Sequence, residues 1–156
     1  MDGRPILLVE DDPNDVMLCQ HSYREAGVPN PLLIVRDGAE AIEYLQGEGK
    51  FADRAQFPLP IVIVLDLKMP RVSGFEFLEW LREQPDHERF VVLILSSSNI
   101  PGDVERAFAL GAHAFVSKPY TITERTELWA SFRNWWLRFN QFPYSAHAKP
   151  LFRRAS

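Results

Sequence analysis

The segment Ile61–Pro70 reads IVIVLDLKMP. Five aliphatic residues run without a break into Asp66, and then come a leucine, a lysine, a methionine and a proline. A run this short and solid, with no polar alternation, is the pattern of a parallel strand covered on both faces. A carboxylate buried without a partner is costly. Asp66 is therefore read at the strand's exit, where a partner can reach it.

Similar runs recur on either side of this one: ILLV (Ile6–Val9), LLIV (Leu32–Val35), FVVLIL (Phe90–Leu95) and AFV (Ala114–Val116). Helical patterns fill the gaps. Asp12-Pro13 reads as an N-cap followed by a first-turn proline, opening a helix to about Ala26 that stops at Gly27. Further helices are expected over Gly38–Leu45, Ser73–Arg82, Pro101–Leu110 and Thr123–Phe139, the last being the longest. Strand and helix alternate five times. Right-handed crossovers then make an α/β fold, a doubly wound five-stranded parallel sheet of order 2-1-3-4-5. The stretch Gly47–Pro60 is a long loop before the third strand. Residues 1–139 form the domain, and residues 140–156 are a proline-broken tail or arm.

Bulk properties narrow the function. The chain has 156 residues, one domain by length, and a net charge of -4, which disfavours a general nucleic-acid surface. A single cysteine, Cys19, cannot make an internal disulfide and suits a reducing compartment. Arg4 and a four-residue apolar run make no secretory leader, and no apolar run approaches the ~18 residues of a membrane span. The expectation is a soluble, cytoplasmic protein with no nucleic-acid or membrane partner.

In such a sheet ligands bind beyond the carboxyl ends of the strands. Strand one ends in Glu10, Asp11 and Asp12; strand three in Asp66; strand four in Ser96, Ser97 and Ser98; strand five in Lys118 and Pro119. Two like charges ~4 Å apart repel by about 4 kcal/mol at an effective dielectric of 20. Either one acid is protonated or a cation sits among them. All-oxygen donors suit a hard ion such as Mg²⁺. Glu10, Asp11 and Asp66 bring three negative charges; Mg²⁺ and Lys118 bring three positive ones. A nucleophilic carboxylate, a bridging metal and a lysine are the parts of phosphoryl transfer. Asp12 has a structural task as N-cap. Ser97 and Ser98 read as loop formers, Gly74 and Gly111 as turn glycines. The four histidines show no ligand spacing.

Four motifs, LLVEDDP, VLDLKMPRVSGFEFL, LSSS and FVSKPY, together resemble the receiver domain of two-component response regulators, a flavodoxin-like fold, over about Pro5–Phe139. The resemblance implies that Asp66 is the phosphoacceptor, with a sensor histidine kinase as donor. It implies that Glu10, Asp11, Asp66 and the Lys68 backbone carbonyl hold Mg²⁺, with Mn²⁺ or, in crystals, Ca²⁺ able to substitute. Ser96 matches the switch hydroxyl, Phe115 the aromatic that follows it, and Lys118 the lysine that pairs with the phosphoryl group. It also implies a cis Lys118–Pro119 bond. Glu10 stands where aspartate is commoner, Ser96 where threonine is, and Phe115 lacks a tyrosine's hydroxyl. The long loop, the VEDDP form and the aromatic fifth helix resemble the stand-alone regulators paired with phytochrome-type kinases, including bacteriophytochromes.

Leu128, Phe132, Trp135 and Phe139 share a helical face that Trp129 and Trp136 widen. That face is wider than one sheet needs, which leaves two readings, core burial with partial cover by the tail, or a homodimer through the fourth and fifth helices and the C-terminal arm, the second being favoured. The arm's apolar residues are Phe142, Tyr144, Leu151 and Phe152. The chain is read as a phosphorylation switch and not an enzyme. Two other readings remain. One is a phosphorylation-independent dimeric pseudo-receiver, which the intact acid set disfavours. The other is an Asp-nucleophile phosphohydrolase, which would want a second aspartate where Lys68 stands.

Overall fold

The computed structural model describes residues 3–141. Five parallel strands form one sheet: β1 (Ile6–Val9), β2 (Leu32–Val35), β3 (Val62–Leu65), β4 (Val91–Ser96) and β5 (Ala114–Ser117). Their order is β2-β1-β3-β4-β5, as expected. The helices are α1 (Pro13–Glu25), α2 (Gly38–Gln46), α3 (Gly74–Arg82), α4 (Pro101–Ala109) and α5 (Ile122–Ser131). Among the described residues no helix is long and apolar enough to cross a membrane. Residues 142–156, most of the arm expected to reach a second copy, lie outside the described residues.

Strand alternation divides the core in two. Leu7, Val9, Ile63, Leu65, Val92 and Ile94 pack with Tyr44, Leu45, Phe77 and Leu81 from α2 and α3. Ile6, Leu8, Val62, Val64, Leu93 and Leu95 pack with Cys19 and Tyr23 of α1 and Trp129 of α5. Solid apolar runs predicted burial on both faces. That holds for β1, β3 and β4, but the edge strands β2 and β5 are half-exposed. An edge run of aliphatics looks the same in sequence as a central one.

Local chemistry sets the helix starts. Asp12, Asp37, Ser73 and Thr121 each accept a backbone N–H from the first turn that follows. Gly47 takes the left-handed conformation that closes α2. The long loop is anchored from within. Arg54 donates to the carbonyls of Tyr44 (2.7 Å) and Leu45, the Tyr44 hydroxyl donates to Pro58 O (2.6 Å), and Phe51 and Phe57 stack edge-to-face at 5.2 Å.

The fifth helix departs from its expected form. It is α-helical only to Ser131, then continues as a π-helical stretch, Phe132–Leu137. Phe132 and Leu137, five residues apart, both stay buried, as the wider i→i+5 turn allows. The aromatic face is also sorted differently from the expectation. Trp129 and Phe132, expected on a dimer face, are buried inside this chain, and Trp129 meets Tyr23 edge-to-face at 5.1 Å. Leu128 and Trp136 are half-buried. Only Trp135 and Phe139, each 64% exposed, remain fully on the surface. The reason is that α5 packs on α1 as well as on the sheet.

Two smaller expectations also change. Every described peptide bond is trans, including Lys118–Pro119. The trans form is favoured by about 0.5–1 kcal/mol for an X-Pro bond, and here the Pro119 carbonyl accepts the Arg125 Nε–H at 3.1 Å. Gly74 is not a turn glycine. A Cβ there would lie 2.7 Å from Leu67 Cα and collide with the Asp66 carbonyl, so its absence lets α3 start against the end of β3. Gly111, at φ 101°, is the turn residue it was read to be.

Candidate phosphoryl-transfer site

Register assembles the site. Val9 pairs with Leu65, Leu65 with Ile94, and Ser96 with Ser117. The next residues therefore emerge on one rim: Glu10 and Asp11 from β1, Asp66 from β3, Lys118 from β5. Backbone bonds continue the ladder there, from Asp66 N–H to Val9 O (3.1 Å) and from Lys118 N–H to Ser96 O (2.9 Å).

The predicted acids converge. One carboxylate oxygen from each of Glu10, Asp11 and Asp66 lies within 4.8 Å of the others. Glu10 and Asp66 are 3% and 6% exposed; Asp11 is half-buried. Lys118 Nζ donates to Glu10 Oε2 (2.8 Å), Asp15 Oδ2 (2.9 Å) and Asp66 Oδ2 (3.1 Å). Lys68 is exposed, two residues past Asp66, and its N–H makes a long 3.4 Å contact with Asp66 Oδ1. Ser96 is fully buried and its Oγ accepts the Ser98 N–H at 3.2 Å. Phe115 is half-buried and packs on the α2–α3 side of the core.

Asp12 stays outside the acid cluster and caps α1 through Asn14 N–H at 2.8 Å, as read. Ser98 does more than form a loop. It is buried, and its hydroxyl donates to Asp103 in the first turn of α4 at 2.5 Å.

Two residues were not anticipated. Asp15 occupies the first turn of α1, where an acid reads as an ordinary partner of the helix dipole. Its carboxylate instead bridges Lys118 and the Arg125 guanidinium, whose NH2 group donates to Oδ1 at 3.0 Å. The usable signal was that an α1 starting right after β1 must place its first turn on the rim.

Electrostatics fit a divalent cation. With all four carboxyls ionised, Glu10, Asp11, Asp15 and Asp66 bring four negative charges to the site against two positive ones from Lys118 and Arg125, leaving two uncompensated. Burial pushes Glu10 up to about 7; the Asp66 charge adds to this and the Lys118 hydrogen bond opposes it. Burial alone would lower Lys118, but its bonds to Glu10 and Asp15 and the nearby charges hold it above its ordinary value. For Asp15, burial is outweighed by the bonds and charges of Lys118 and Arg125, and its pKa is lowered. The donors are all oxygen, the preference of a hard ion.

Known proteins resemble this chain in sequence and fold. Residues 6–129 match the response regulator receiver domain model. Response regulator Rcp1 of Synechocystis sp. is 30% identical over 138 residues, covering 88% of this chain and 92% of that protein. The crystal structure of the Mn(2+)-bound form of Rcp1 superimposes with a TM-score of 0.78 at 29% identity, covering 90% of this chain and 99% of that one. The response regulator RPA3017 in red light signaling of R. palustris gives 0.85 at 29% identity, over 91% and 99% of the two chains. The phosphorylated cyanobacterial phytochrome response regulator RcpA gives 0.82 at 29% identity, over 92% and 100%. The acid cluster on the sheet's carboxyl rim, the buried lysine that serves it and these likenesses agree: the chain belongs to the response regulator receiver domain family, the phosphorylation-dependent switches of two-component signalling, which take their phosphoryl group from a histidine kinase and bind a divalent metal.

Proposed function

We propose that Asp66 is the phosphoacceptor and that Glu10, Asp11, Asp66 and the Lys68 carbonyl would hold Mg²⁺. The observation that carries this is the single Lys118 ammonium serving Asp66 and Glu10 at once, beside a three-acid cluster. An Asp66 carboxylate oxygen attacks the phosphorus of a kinase phosphohistidine; the P–O bond forms, the P–N bond breaks, and the imidazole leaves and regains a proton. When bound, Mg²⁺ supplies positive charge for the incoming phosphoryl oxygens. Lys118 stays at the phosphoryl group as Asp66 gives up its carboxylate charge. Ser96 turns its hydroxyl to a phosphoryl oxygen, and Phe115, without an OH, follows by packing alone. Catalysis is limited to the protein's own phosphorylation and dephosphorylation, so it is not an enzyme with an external substrate. Intact-mass measurement with a small phosphodonor and Mg²⁺ tests this. Wild type gains one phosphoryl group and Asp66→Asn gains none; equal gain in both would sink the assignment.

The kinase is proposed to be a bacteriophytochrome-type photoreceptor, acting in the cytoplasm. Support comes from the red-light and phytochrome regulators that the chain resembles over nine-tenths of its length. Transfer from such a kinase should depend on red or far-red illumination. Self-association is proposed through the α4–α5 face. Its support is the exposure of Trp135 and Phe139, and an apolar groove that Trp135 lines with Leu128 and Trp136. Light scattering on Trp135→Ala/Phe139→Ala should show a smaller particle than wild type with unchanged unfolding.

A further inference from the structure

An ammonium has three N–H donors, and Lys118 gives each to a different carboxylate. Glu10 and Asp66 are members of the acid cluster that would hold the metal; Asp15 is not. Asp15 is thus the partner whose bond to Lys118 does not compete with the chemistry. Lysine is a point charge on a flexible four-carbon stem and needs such a tether to stay in one place. If Glu10 were to hold a cation, Asp15 would be the partner of Lys118 outside the acid cluster that still anchors it.

Asp15 is itself held. Arg125, half-buried in the first turn of α5, donates from NH2 to Asp15 Oδ1 (3.0 Å) and from Nε to Pro119 O (3.1 Å). Its side chain is 11% exposed. Pro119 follows Lys118 in the chain, so a ring closes: Lys118 ammonium, Asp15, Arg125, Pro119 carbonyl and back to Lys118. The ring ties α1, α5 and the β5–α5 loop together at the rim. Its members are charged or hydrogen-bonded through rigid groups, and the guanidinium makes both contacts with one planar fork.

We propose that Asp15 is a positioning residue for phosphoryl transfer, holding the Lys118 ammonium at Asp66 through a ring that Arg125 closes. The proposal rests on the reading of Asp66 as phosphoacceptor. The first turn of α5 is thereby linked to the reacting group through Asp15 and Lys118, alongside any signal that passes through Ser96 and Phe115.

The test uses wild type, Asp15→Asn, Arg125→Gln and Arg125→Lys, with Lys118→Met to assign the lysine signal. In metal-free protein, ¹H–¹⁵N correlation of lysine side-chain ammonium groups should show a Lys118 peak protected from solvent exchange. That exchange should accelerate at least about tenfold in Asp15→Asn, less in Arg125→Gln, and little in Arg125→Lys. Phosphorylation from a small donor with saturating Mg²⁺ should slow by about tenfold in its maximal rate for Asp15→Asn, with the half-saturating donor concentration nearly unchanged. Arg125→Gln should slow it in the same direction. A general charge effect predicts the reverse pattern, because one variant removes a negative charge and the other a positive one. Opposite shifts, or an unchanged ammonium signal in Asp15→Asn, would overturn the proposal. If neither wild type nor any variant takes up a phosphoryl group, the reading of Asp66 fails instead, and the ammonium exchange still decides whether Asp15 holds Lys118.

Discussion

Asp66 and Asp37 are nearly the same residue by position. Each follows the end of a strand, β3 or β2, and they are 6% and 5% exposed. Their partners differ. Asp37 has a cation to itself: Arg71 donates from Nε to Oδ2 at 2.6 Å, while Oδ1 accepts the Glu40 N–H at 2.8 Å and caps α2. Asp66 shares Lys118 with Glu10 and Asp15, and among the described residues its other oxygen has only the long contact to Lys68 N–H. A buried carboxylate with its own cation and a capped amide is finished structure. One that shares a cation among several acids keeps unspent negative charge, and that charge is what a metal and a phosphoryl donor meet.

The widest separation should come from the aspartates. Asp66→Asn should abolish phosphoryl uptake without loss of fold stability, since it removes one of several crowded like charges. Asp37→Asn should leave the uptake rate within about threefold and cost about 1 kcal/mol in denaturant unfolding, because asparagine still caps but loses the charge-assisted bond. Uptake by Asp66→Asn or its loss in Asp37→Asn would erase the distinction.

The cations come next. Lys118→Met strips the one ammonium shared by three acids and should lower stability by about 3 kcal/mol in chelator. Added Mg²⁺ should recover part of that loss. Arg71 is two-thirds exposed, so Arg71→Met should cost no more than about 1 kcal/mol, with no dependence on divalent cation. Equal Mg²⁺ dependence in both variants would break the comparison.

The glycines beneath the two sites sharpen it further. A Cβ at Gly38 would meet Val72 Cγ1 at 2.6 Å; one at Gly74 would meet the backbone of Asp66 and Leu67. Either alanine should cost about 1–3 kcal/mol from overpacking. Only Gly74→Ala should also slow phosphorylation, because it displaces the reacting residue's own backbone. Smallest of all is Arg71→Gly. Arg71 sits at φ 63°, so glycine relieves backbone strain while losing a surface ion pair. The net change in unfolding free energy should stay under about 1 kcal/mol.

Asp66 stood out in the sequence and Asp37 did not, because Asp66 came with Glu10, Asp11 and Lys118 at other strand ends. Asp15 and Arg125 were missed because neither breaks a local rule: an acid in a first helical turn and an arginine early in a helix are ordinary. Trp129 was placed on a dimer face because the helical period alone does not show that α5 also packs on α1, where Tyr23 meets it. The π-helical turn cannot be seen in that period.

Sequence alone determined the strand order, the Asp12 cap of α1 and the acids Glu10, Asp11 and Asp66 of the rim. Each depends on a few neighbouring residues or on the one crossover hand that chains adopt. Tertiary structure alone decided that Asp15 and Arg125 close a ring around Lys118, that Trp129 is core, and that Gly74 makes room for Asp66. Those outcomes depend on distances between segments as many as 110 positions apart, which no local pattern encodes.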